Sequence, residues 1–142
     1  AARSAGERAG FEVLADDDVL KALPEVDILI DILPGGEATR GMIDAEVLAA
    51  LPDHAVLINV GRGTTVDQQA LREALEGGTL GAAALDVTDP EPLPAEDPLW
   101  DAPRLLITPH AAGGRPVGAD ERIRENLLAL EGDGAIVQLA DR

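Results

Sequence analysis

The chain has 142 residues, 46% of them hydrophobic, enough for one compact unit with its own core and no need of a disulfide scaffold. Its formal charge of −16, from 11 basic against 27 acidic residues, would repel a polyphosphate backbone and argues against nucleic acid as a partner, while the absence of cysteine excludes disulfides, thiolate nucleophiles and zinc ribbons. No apolar run approaches the roughly 20 residues of a membrane span, and no signal-like segment opens the chain, so the expectation is a soluble cytoplasmic protein with no membrane partner.

The first residues, Ala1-Ala2-Arg3-Ser4, carry no initiator methionine and enter in mid-pattern, so the chain is expected to be cut from something longer. The acidic run Asp16-Asp17-Asp18 is read as the cap of a short helix over about 17 to 23, ended by Pro24, rather than as a Mg²⁺ site. Residues 26 to 32, Val-Asp-Ile-Leu-Ile-Asp-Ile, form a β-rich run that stops at Leu33-Pro34-Gly35-Gly36 and reads as a buried strand entering a loop. A helix over 44 to 51, opened by Asp44, leads to a second strand over Ala55 to Asn59 and then to Gly61-Arg62-Gly63. Residues 67 to 76 form the next helix, opened by Asp67 and closed by Gly77-Gly78; Ala70, Leu71, Ala74 and Leu75 share one face, as on a crossover helix covering a sheet. A third strand, Leu80 to Val87, runs into the proline-rich stretch Asp89 to Pro94, and a fourth, Leu105 to Thr108, runs into Pro109-His110. A longer helix over roughly 119 to 131, carrying Ile123, Leu127, Leu128 and Leu130, follows. The alternation of strand and helix predicts an α/β fold with a parallel sheet.

The inventory of reactive side chains is narrow. Ser4 is the only serine, Lys21 the only lysine, and there is no tyrosine, so neither a G-x-S-x-G elbow nor a Walker lysine can be written, and covalent catalysis is nearly excluded. Two histidines without H-E-x-x-H make a transition-metal site an unfavourable reading, and no metal ligand set is assigned. What remains is polar residues placed at or just beyond strand ends: Arg62 after the second, Asp86 at the end of the third with Glu91 just beyond it, and His110 after the fourth. In an open parallel sheet these share one edge, where loops and helix N-termini form the ligand crevice. A histidine that exchanges protons near neutral pH, a carboxylate beside it and an arginine able to clamp a carboxylate or carbonyl make up a proton-transfer constellation. His54, in a turn beside Asp53, reads as a surface residue.

At these positions the chain resembles the D-isomer-specific 2-hydroxyacid dehydrogenases. Three motifs carry the likeness: Leu33-Pro34 through Glu37, Thr39, Arg40 and Gly41; Ile58 to Gly63 with Val66-Asp67 and Ala70-Leu71; and Ala84-Leu85-Asp86-Val87 through Glu91-Pro92 and Pro98-Leu99 to Ile107-Thr108-Pro109-His110. The resemblance implies a partial Rossmann-like domain truncated at its N-terminus, with 1–114 as the C-terminal part of the NAD(P)-binding domain and 115–142 as a helix and tail returning to a substrate domain. It further implies that His110 protonates the carbonyl oxygen of a small 2-keto acid, that Glu91 hydrogen-bonds its imidazole, and that Arg62 binds and polarises the substrate. Asp86 would hold the carboxamide of NAD or NADP, with Leu33, Pro34, Val60, Gly61, Arg62, His110 and Gly113 along the cofactor, and the full-length protein would be a homodimer. Two features depart from the pattern: Gly35-Gly36 stands where bulkier residues are usual, and no G-x-G-x-x-G phosphate turn is present. The competing readings are a non-catalytic dinucleotide-sensing or corepressor-like relative and an inactive fragment; the joint presence of Arg62, Glu91 and His110 favours the enzyme.

Overall fold

A computed structural model describes residues 5–15 and 18–113 together with Glu121, Arg124 and Leu128. The chain divides into two compact units, Ala1–Ala112 and Gly113–Arg142. In the second, Glu121, Arg124 and Leu128 are helical, as expected for 119 to 131. Ile123, Leu127 and Leu130 lie outside the described residues.

The first unit opens with an antiparallel hairpin that the sequence pattern did not announce, β1 (Gly6–Arg8) and β2 (Phe11–Val13). Ala9 and Gly10 both take positive φ, 51° and 81°, which is the turn geometry whose twist matches a two-residue hairpin. Helix α1 (Val19–Ala22) follows and tightens into a 3₁₀ turn at Leu23–Glu25 that accommodates Pro24. Asp18 stands at the cap position of α1, but its carboxylate accepts from Lys21 Nζ at 2.7 Å instead of from first-turn amides. The backbone explains this departure from the capping expectation: Asp18 already has helical dihedrals, φ −102° and ψ −6°, which aim its side chain away from those amides. Asp16 and Asp17 lie outside the described residues.

The sheet has four strands in the order β3 (Ile28–Asp31), β4 (Val56–Asn59), β5 (Ala82–Leu85) and β6 (Leu105–Ile107), all parallel. Two helices form where they were expected. In α2 (Ala45–Ala50) Asp44 accepts from Val47 N, and in α3 (Gln68–Gly77) Asp67 accepts from Gln69 N and Ala70 N while Gly78, at φ 70°, ends the last turn. Leu48, Leu71 and Leu75 from these helices join Leu57, Ala83 and Leu85 of the sheet in one aliphatic core.

Among the described residues only one face of the sheet is covered in this way. Register places Leu29, Leu57, Ala83 and Leu105 on the helix side and Ile28, Val56 and Ala82 on the other. The expectation of a strand buried on both faces therefore holds for half of β3: Leu29 is partly covered and Asp31 buried, whereas Ile28 and Ile30 are each 57% exposed. The cause is the period of two in a strand, which turns alternate side chains away from the only helices described against this sheet. Among the described residues no helix is long and apolar enough to cross a membrane.

Candidate active site at the carboxyl edge of the sheet

All four parallel strands run toward the same edge, and each ends in a loop that carries one of the residues singled out from the sequence. The Arg62 loop is held from below by Asn59, the last residue of β4, which is fully buried. Its Oδ1 accepts from Gly61 N at 2.8 Å, and its Nδ2 donates to the Arg62 carbonyl at 3.0 Å. Buried Thr65 lies with its hydroxyl 2.6 Å from that same carbonyl and in hydrogen-bond contact with the Asp31 carboxylate, whose other oxygen accepts from Leu33 N at 2.9 Å. One polar network thus fixes the loops after β3 and β4 together.

The two glycines flanking Arg62 are required by close approach rather than by turn geometry. A Cβ on Gly61 would lie 2.6 Å from the Leu33 carbonyl oxygen, and one on Gly63 would lie 2.0 Å from the Thr88 carbonyl carbon. Arg62 is consequently wedged between the loop after β3 and the loop after β5. Its own side chain stays exposed, with NH1 donating to the Gly61 carbonyl at 2.7 Å.

The proline-rich loop is fastened to the start of α3. The Gln68 amide pairs with both backbone groups of Asp89, donating to its carbonyl at 2.7 Å and accepting from its N–H at 2.9 Å. Two residues on, Glu91 Oε1 meets His110 Nδ1 at 2.6 Å. Both side chains are partly open to solvent, 41% and 45% exposed, and both line a cavity of about 460 Å³ whose wall includes Asp86, Thr108 and Trp100. Trp100 is set in place by its indole N–H, which donates to the Pro94 carbonyl at 2.8 Å.

Asp86 is buried beneath this pair. Its Oδ1 accepts from Thr108 Oγ1 at 2.5 Å and Ala111 N at 2.8 Å, and its Oδ2 accepts from Ala112 N at 2.8 Å. The Thr108 hydroxyl and the two amides, with a smaller contribution from His110, hold its carboxyl below the usual carboxylate range, against the opposing effect of burial.

Sequence comparison matches residues 2–112 to the family described as D-isomer specific 2-hydroxyacid dehydrogenase, NAD binding domain. The chain belongs to this family. The glyoxylate/hydroxypyruvate reductase A of Salmonella heidelberg is 39% identical over 142 residues, which are 99% of this chain and 46% of that protein. Among solved structures, a D-isomer specific 2-hydroxyacid dehydrogenase from Xanthobacter autotrophicus, in complex with NADPH and MES, superposes with a TM-score of 0.84 at 36% identity, over 99% of this chain and 59% of the other. An NADPH-dependent glyoxylate/hydroxypyruvate reductase from Sinorhizobium meliloti, in complex with NADP and sulfate, gives 0.85 at 31% identity, over 99% and 46%. The chain spans less than half the length of its curated relatives.

Within this 2-hydroxyacid dehydrogenase domain, Glu91, His110 and Asp86 come together on one cavity. Arg62 does not line that cavity; it sits on the adjoining loop, whose backbone at Gly63 is packed against Thr88. Leu33 is partly covered at the end of β3, Pro34 and Gly113 are exposed, and Val60 is 39% exposed beside buried Gly61. His54 is exposed near the opposite edge, with Nε2 2.8 Å from Asp27 Oδ1. Sequence reasoning missed Asp31, Asn59, Thr65 and Gln68. A signal existed for the first two, since each is a polar residue in phase with the inward apolar positions of its strand, Leu29 and Leu57. No pattern in the sequence marks Thr65 or Gln68, which tie their loops to Asp31 and Asp89, 34 and 21 residues away.

Proposed function

We propose that this chain carries the proton-transfer part of an NAD(P)H-dependent oxidoreductase that reduces a small 2-keto acid, of the glyoxylate or hydroxypyruvate type, to the D-2-hydroxy acid. The observation that carries the reading is the 2.6 Å contact between Glu91 and His110 at the mouth of a cavity on the carboxyl edge of the sheet. Ionised Glu91 holds the proton of Nδ1, which leaves Nε2 as the nitrogen that exchanges a proton with substrate. His110 gives its proton to the carbonyl oxygen as the carbonyl carbon is reduced, and Arg62 binds the substrate carboxylate. When bound, NADH or NADPH supplies the hydride.

The residues present fit the nicotinamide end of such a cofactor. Asp86 adds an acceptor to the cavity wall beside Thr108, Pro109 and His110, and exposed Val60 lies just beyond β4, on the same edge of the sheet. The relatives solved with NADPH or NADP support the phosphorylated dinucleotide, and the family's description as an NAD binding domain supports NAD as the alternative. The pyrophosphate end has no counterpart, because the sequence contains no G-x-G-x-x-G turn. Activity is accordingly assigned to a longer polypeptide, in which residues 1–114 contribute to the cofactor domain and 115–142 return toward a substrate domain, with a homodimer as the working assembly.

The test is spectrophotometric. A longer polypeptide containing this chain should oxidise NADH or NADPH in the presence of glyoxylate or hydroxypyruvate, and failure with both cofactors across a panel of 2-keto acids overturns the reading. The 142-residue chain alone should bind either dinucleotide more weakly than about 1 μM, which calorimetric titration reads directly.

A further inference from the structure

His110 occupies an uncommon backbone conformation. Its φ is +53°, and its N–H donates to the Thr108 carbonyl at 3.0 Å, closing a tight turn over Pro109. A side-chain-bearing residue in this region persists only where its surroundings fix it. Neither the short strand before it nor the exposed Ala111-Ala112-Gly113 segment after it supplies such a constraint through packing. One carboxylate reaches both sides of the turn: the three hydrogen bonds to Asp86 come from Thr108 on one side of His110 and from Ala111 and Ala112 on the other.

We propose that Asp86 is a positioning residue for His110, a clamp that holds the His110 turn in its left-handed conformation and thereby keeps the imidazole against Glu91, independently of any contact Asp86 makes with a cofactor. Asp86 is suited to this by its place one residue beyond β5, the strand next to the one that delivers His110. A carboxylate accepts on both oxygens and so satisfies three donors at once, and the depressed proton affinity of Asp86 agrees with an acceptor serving three donors. An amide in its place turns one oxygen into a donor, so that either Ala112 or the pair Thr108 and Ala111 loses its acceptor.

The proposal rests on the reading above only for what His110 does; the clamp itself is tested without cofactor or substrate. The chain has two histidines, and exposed His54, beside Asp27, serves as an internal reference. Amide hydrogen exchange at Ala111 and Ala112 and the imidazole NMR signals of both histidines are followed in the cofactor-free chain, in the wild type, Asp86→Asn and the milder Thr108→Val. In Asp86→Asn, exchange at one or both alanines should accelerate by about tenfold or more and the His110 signal should move while that of His54 stays in place. Thr108→Val should give a smaller change of the same sign, and it decides the matter alone if Asp86→Asn unfolds the whole chain. Wild-type exchange rates and an unmoved His110 signal in the folded variants overturn the clamp, as does a Thr108→Val variant in which both histidines move equally. Loss of turnover bears on the enzymatic reading, whereas unchanged exchange bears on the clamp.

Discussion

The exposed pair of Glu91 and His110 and the buried polar row beneath it are built on opposite principles. The pair is joined by one short contact, and both side chains stay more than two-fifths open to solvent. Asp31, Asn59, Thr65 and Asp86 are all within 5% of full burial, and each has hydrogen-bond partners among backbone amides, carbonyls or hydroxyls of the site loops. Among the described residues no buried side-chain polar atom lacks a partner. The groups suited to chemistry are thus held loosely enough to exchange protons, while the groups that aim them sit where an unmade hydrogen bond is costly. Function and stability should separate along this line when residues are replaced.

The largest effect is expected at the exposed pair, and on turnover alone. His110→Ala should lower kcat by about 10²- to 10⁴-fold in the longer polypeptide, while changing unfolding free energy by less than about 0.5 kcal/mol; a matching loss of stability would erase the contrast with the buried row. Arg62→Ala should differ by raising KM as well as lowering kcat, because the guanidinium is asked to hold substrate in both ground and transition states.

Next in size is the buried row, read in stability. Asn59→Ala leaves the Gly61 amide and one bond to the Arg62 carbonyl without their partner, which should cost about 1–3 kcal/mol in urea unfolding. Gly63→Ala forces the Arg62 loop off the Thr88 backbone and should cost at least about 1–3 kcal/mol together with the position of Arg62. A Gly63→Ala protein as stable as the wild type would mean that the two loops are not in contact.

A smaller effect follows from acid. Because the Asp86 carboxyl is depressed in the folded chain, its ionised form adds stability above its unfolded value of about 3.9, and that contribution disappears as pH falls through the lower folded value. Asp86→Asn should therefore be less stable at neutral pH yet lose less stability below pH of about 4 than the wild type does. Circular dichroism during acid titration compares the two, and parallel curves would remove Asp86 from the acid response. At the small end lies the sheet face away from α2 and α3, where replacing exposed Ile30 in Ile30→Thr should change the stability of this chain by less than about 0.5 kcal/mol, against about 2–5 kcal/mol for Leu57→Ala on the face those helices cover.

Much of this molecule was determined by short-range rules that a sequence displays. Asp44 and Asp67 reach first-turn amides two or three residues ahead, Gly78 ends α3, and the four apolar runs stop at glycine or proline, so the strand ends and the residues just beyond them were legible before any coordinates. The family motifs added the same positions. Tertiary structure alone decided which side of each strand is covered, since Ile28 and Leu29 are equally apolar and differ only in the face on which α2 and α3 settle. It decided that Asp18 binds Lys21 and caps nothing, because that depends on a backbone angle. It also decided why Arg62 lies between glycines: the atoms that forbid a Cβ there belong to Leu33 and Thr88, some 25 or more residues away in sequence and brought to contact by the parallel sheet. Capping and periodicity act within a turn or a strand, whereas close approach and burial are properties of neighbours that only the folded chain supplies.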